Sequence, residues 1–221
     1  NRAVVLFILL LLPAASPLLG QEEGHAASPG TAGTPSGTSL GTSSISWTWS
    51  AAAGATSYNV YQASSPSTLI ATTNGNALVQ TGLSPNASYG IVVKGVNSSG
   101  EGPASSAGTA FTLAAAPSAL TAEGASWTSI SLNWSANGNP PGTVYEVEQS
   151  SGGAFVAVAS TTATAFTSAG LTPSTEYSLR VRALNGASVP GEFTPPVVSR
   201  CRQDVTVPDL RSFDISQLSV D

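Results

Sequence analysis

A duplicated unit constrains this chain more than any other feature. Ser44-Ile45-Ser46-Trp47-Thr48-Trp49 is echoed by Ser129-Ile130-Ser131-Leu132-Asn133-Trp134, and Tyr58-Asn59-Val60 by Tyr145-Glu146-Val147. Leu83-Ser84-Pro85-Asn86-Ala87-Ser88-Tyr89 is echoed by Leu171-Thr172-Pro173-Ser174-Thr175-Glu176-Tyr177. The offset moves only from 85 residues (Ile45 to Ile130) to 88 (Leu83 to Leu171), so one repeated unit accounts for all three matches. A chain of 221 residues then holds two small domains of about 85 residues each rather than one large one.

Within each unit the apolar residues recur with a period of two. Ile45, Trp47 and Trp49 share one parity and Ser44, Ser46 and Thr48 the other, the pattern of a strand with one buried face. Gly, Pro, Asn and Ser punctuate such stretches about every 8 to 12 residues, and no stretch of either unit carries a helical period. The expected fold is all-β, two tandem sandwiches.

These residues resemble the fibronectin type III family: a Trp late in the second strand, Tyr-x-Val in the third, and Leu-x-Pro-x-x-x-Tyr before the sixth. The resemblance covers residues 30–113 as module one and 114–199 as module two. It implies that Trp49 and Trp134 are core tryptophans. It also implies that Tyr89 and Tyr177 are tyrosine-corner residues whose hydroxyls bond back to nearby backbone. Module two opens on Pro117-Ser118-Ala119-Leu120-Thr121-Ala122, a good first strand, whereas Thr34-Pro35-Ser36-Gly37 in module one has no apolar anchor. A frayed or missing first strand is expected there. Leu113-Ala114-Ala115-Ala116-Pro117 is a short, proline-limited connection, which predicts a semi-rigid rod.

The flanks read differently. Arg2 precedes the apolar run Val4 to Leu12, followed by Pro13-Ala14-Ala15-Ser16. That is the order of a signal peptide, taken as residues 1–20, and the run is too short for a bilayer span. Residues 21–41 are nearly devoid of side chains to bury and read as a flexible linker, with order beginning near Thr42. From Arg200 to Asp221 the character changes again, as a tail or the start of a further domain. The expected setting is secreted or cell-surface, in a bacterial protein by its low charge and small-residue bias.

Hydrophobic residues make up 41% and charged residues 9%, so the surface must be built from Ser, Thr, Asn, Ala and Gly. The seven Lys and Arg residues form no cluster that could follow a phosphate backbone, which argues against nucleic acid as a partner. The single cysteine, Cys201, allows no internal disulfide. No His, Cys or Asp occurs from Ser28 to Ser199, so neither a Ser-His-Asp nor a Cys-His arrangement can be drawn there. No catalytic residue, metal site or cofactor is expected. Glu146 and Glu148, successive outward positions on one strand, do not face each other across a substrate as glycosidase carboxylates do.

The resemblance sets the third and sixth strands side by side, so Glu146 and Glu148 should pair with Arg180 and Arg182 on module two's outer face. At the matching places of module one stand Tyr61, Val92 and Lys94. They read either as local cation-π packing or as a docking patch for an extracellular protein or polysaccharide. Trp127, off the inward parity set by Ile130, either packs under the linker or presents a stacking surface. Asn86, Asn97 and Asn133 head glycosylation sequons of a kind that arise readily by chance in such a composition. The expected role is a non-catalytic spacer or weak adhesion unit. The alternative is an accessory or carbohydrate-binding region of a secreted polysaccharide-degrading enzyme.

Overall fold

The computed structural model describes residues 27–202. The signal-peptide reading of residues 1–20, His25, and the residues after Arg202 lie outside that span. Module one comprises β1 (Ser36–Ser39), β2 (Ile45–Thr48), β3 (Ser57–Gln62), β4 (Ser65–Thr73), β5 (Ala77–Gln80), β6 (Ser88–Asn97), β7 (Gly100–Ala104) and β8 (Gly108–Phe111). Module two repeats them as β9 (Ser118–Ser126), β10 (Ser129–Ser135), β11 (Val144–Ser150), β12 (Val156–Thr161), β13 (Ala165–Ala169), β14 (Glu176–Leu184), β15 (Pro190–Phe193) and β16 (Val197–Arg200).

Each module is a sandwich of a three-stranded sheet and a five-stranded sheet. In module one these are β1-β2-β5 and β4-β3-β6-β7, with β8 also on β6. In module two they are β13-β10-β9 and β12-β11-β14-β15, with β16 also on β14. All pairings are antiparallel.

The alternating residues supply the cores from both sheets. Ile45, Trp47, Trp49, Tyr58, Val60, Ile91 and Val93 fill module one. Ile130, Leu132, Trp134, Tyr145, Val147, Leu179 and Val181 fill module two. Fully burying one such aliphatic side chain contributes about 1.5–3 kcal/mol. The same edge-to-face aromatic pair recurs in both: Trp49 on Tyr58 at 5.7 Å and 70°, and Trp134 on Tyr145 at 5.6 Å and 68°. The corner tyrosines also repeat. Tyr89 Oη accepts Ser84 N–H at 2.8 Å, and Tyr177 Oη accepts Thr172 N–H at 3.0 Å.

Two boundaries differ from the sequence reading. Order begins well before Thr42: Gly30 and Gly33 donate their N–H groups to Ala53 and Ser50 carbonyls, Ala32 is buried in the core, and β1 pairs fully with β2. The missing apolar anchor is explained at Gly37, where a Cβ would lie 2.6 Å from Ala110 Cβ and 2.7 Å from the Trp47 ring. The neighbouring tryptophan already fills that space.

At the other end, residues from Arg200 do not begin a separate tail at once. β16 runs through Arg200, Cys201 is buried in module two's core, and Arg202 donates to the Ser126 and Gly124 carbonyls.

Candidate functional site

Among the described residues, the two five-stranded sheets hold most of the charged side chains. On module two, β11 and β14 pair in a register that sets Glu146 opposite Arg182 and Glu148 opposite Arg180. Arg182 Nε donates to Glu146 Oε2 at 2.5 Å, and Arg180 donates to Glu148 Oε2 through Nε at 2.8 Å and Nη2 at 2.6 Å. The expected ion pairs are therefore present.

Sequence reasoning missed the aromatic partners. The Arg180 guanidinium lies against two rings, 4.0 Å from the centre of Phe155 and 3.9 Å from that of Phe193, and Arg182 lies 4.4 Å from the centre of Phe193. Phe155 stands in a loop and Phe193 on β15, so neither shares a local pattern with the arginines.

Module one carries a different cluster at the same place. Register sets Asn59 opposite Lys94 and Tyr61 opposite Val92. Glu101, on β7, gathers them. Its carboxylate accepts from Asn59 Nδ2 at 2.7 Å, from the Tyr61 hydroxyl, and from Lys94 Nζ at 2.9 Å, while Lys94 lies 5.0 Å from the Tyr61 ring centre. Module one thus has an ion pair of its own, where the sequence reading had Tyr61, Val92 and Lys94 take the place of one.

The hydrogen bonds, that from Asn59 foremost, then Tyr61 and Lys94, hold the Glu101 carboxyl down from 4.5 to about 2. In turn the bond to Glu101 raises both Tyr61 and Lys94.

Of the candidate patch, the structure brings Tyr61, Val92 and Lys94 onto one face, although Val92 is only 9% exposed. Trp127 lies on the other module, at the turn between β9 and β10, and is 54% exposed. Among the sequons, Asn86 Nδ2 is engaged with Thr143 across the module joint, Asn97 Nδ2 donates to the Ala27 and Gly54 carbonyls, and Asn133 is exposed. Among the described residues no group of three or more His, Cys, Asp or Glu side chains could hold a metal ion.

Residues 32–111 and 115–200 each match the family described as Fibronectin type III domain. The chain belongs to the fibronectin type III family. Among curated relatives, it is 33% identical over 171 residues to endoglucanase B of Cellulomonas fimi and 32% identical over 180 residues to exoglucanase B of the same organism. These matches take in 70% and 75% of this chain but 16% of either glucanase. Fibronectin type III domain-containing protein 7 of Mus musculus is 33% identical over 150 residues, 67% of this chain and 20% of the mouse protein. The chain thus spans less than a quarter of the length of each of these relatives. Among solved structures, a two-domain fibronectin type III segment of chicken tenascin superposes with a TM-score of 0.45 at 14% identity, covering 78% of this chain and 97% of the segment.

Proposed function

We propose that this region is a non-catalytic extracellular spacer and weak adhesion unit of a larger modular protein. The observation that carries the reading is that four of the six described carboxylates are committed to the chain's own sheets. Glu101, Glu146, Glu148 and Glu176 form ion pairs with Lys94, Arg182, Arg180 and Arg200. A general acid or base works best with a pKa near the operating pH and within reach of substrate. Glu101 is held at about 2 by three donors, which suits a structural anchor.

The likeness to two glucanases favours a second reading, in which the pair is an accessory or carbohydrate-binding region of a secreted polysaccharide-degrading enzyme. The exposed Trp127 ring, together with Tyr61, supplies flat aromatic surface of the kind that stacks on sugar rings.

Binding of the full chain to soluble and insoluble polysaccharides and extracellular matrix proteins, at physiological salt, separates the two. The spacer and adhesion reading expects no polysaccharide binding and at most weak binding to a matrix protein. Saturable polysaccharide binding that is lost in Tyr61→Ala or Trp127→Ala, with unchanged thermal unfolding, overturns it in favour of the second.

A further inference from the structure

The modules meet with no slack backbone. Leu113 belongs to module one, its N–H on the Gly41 carbonyl and its own carbonyl accepting Asn86 N–H. The next residue, Ala114, is already buried in module two's core. Ala115 is then held at both ends by Asn139, its N–H on Oδ1 and its carbonyl accepting from Nδ2, and the Ala116 carbonyl accepts from Asn137 Nδ2.

Three further hydrogen bonds cross the gap. Asn86 Nδ2 donates to Thr143 Oγ1 at 2.8 Å, Gly186 N–H donates to Asn86 Oδ1 at 2.8 Å, and Asn185 Nδ2 donates to the Thr112 carbonyl at 3.1 Å. Asn86, Thr112, Thr143 and Asn185 are all buried. Buried polar groups without partners are costly, so tilting the modules would open all three bonds together.

The repeat shows which of these features the fold itself requires. Asn86 and its counterpart Ser174 share a left-handed backbone, φ 48° and 56°. The turn therefore accepts serine, and the amide at position 86 answers to the neighbouring module. At the turn between β14 and β15 the contrast is steric. Gly186 corresponds to Ser98 in module one, yet a Cβ at 186 would lie 2.2 Å from Phe111 Cε1.

From these contacts we infer that Asn86, Thr112, Thr143, Asn185 and the Phe111–Gly186 contact form a keyed joint that holds the two modules at one fixed angle. The use of that angle rests on the spacer reading; the geometry does not.

The test is a pulsed electron–electron distance measurement on the full chain, labelled at the exposed Ser67→Cys and Thr162→Cys in a Cys201→Ala background. The expected result is one narrow distribution that at least doubles in width in Asn86→Gly, which keeps the left-handed turn, and in Gly186→Ala. Circular dichroism checks that both sandwiches persist; if Gly186→Ala fails to fold, Asn86→Gly alone carries the test. A parent distribution as broad as that of a control with Gly-Gly-Ser inserted after Leu113 overturns the inference. So does an unchanged width in Asn86→Gly. Polysaccharide binding in the panel above would remove the spacer reading and leave the joint intact, whereas a broad distribution with no polysaccharide binding would do the reverse.

Discussion

Asn86 and Gly186 stand one hundred positions apart and are joined by one hydrogen bond, Gly186 N–H to Asn86 Oδ1, across the boundary between two separately cored sandwiches. With the Asn86 Nδ2 bond to Thr143, a single side chain satisfies polar groups from two loops of the next module. Removing one partner from a buried hydrogen bond costs about 1–3 kcal/mol. Asn86→Gly should therefore lower the melting temperature by roughly 2–4 °C per kcal/mol lost. Ser174→Gly, at the matching turn, where no described residue of another module bonds the side chain, should move it much less. Equal shifts would assign the Asn86 effect to the turn alone.

The Glu101 carboxyl titrates far below its ordinary 4.5, at about 2, because Asn59, Tyr61 and Lys94 all donate to it. A depressed folded-state pKa gives stability that is complete above the unfolded value and is lost as pH falls from about 4.5 toward 2. In urea titrations at pH 6 and pH 3, Glu101→Gln should lose less stability on acidification than the parent. An identical loss in both would show that Glu101 contributes nothing to the acid limb.

Arg180 is held by Glu148 and lies against the rings of both Phe155 and Phe193. A lysine ammonium has no flat face to stack on rings, so Arg180→Lys should cost about 1–2 kcal/mol. Stacking is not a long-range charge interaction, so most of that cost should persist in 1 M salt, where simple surface ion pairs are screened. If salt abolishes the difference, the rings play no part.

Tyr177→Phe removes only the hydroxyl that accepts Thr172 N–H. The ring stays packed, so the expected loss is about 1 kcal/mol with an unchanged urea m-value. Tyr89→Phe should behave alike because its bond to Ser84 is the same contact in module one. A changed m-value would point to a rearranged corner rather than a missing bond.

The strands, the two cores and the Glu–Arg ladder were legible because period-two alternation and a duplicated spacing are local signals. Glu146 and Arg182 could be paired once two strands were set side by side. The first strand of module one was not legible, since Gly37 owes its place to the Trp47 ring from the next strand. Cys201 looked like the start of a tail, although its burial matches that of Thr112, the residue after the last strand of module one. Glu101 gathers partners from two other strands, and Phe155 and Phe193 meet Arg180 through the tertiary fold alone. The joint joins residues 57 to 100 positions apart, a separation that no periodicity encodes.

Residual dipolar couplings on the uniformly labelled full chain in one alignment medium test the fixed spacer most directly. A keyed joint predicts that the amide vectors of both modules fit a single alignment tensor with the modules placed as described. Two tensors of different magnitude would mean that the modules reorient independently, and would contradict the account.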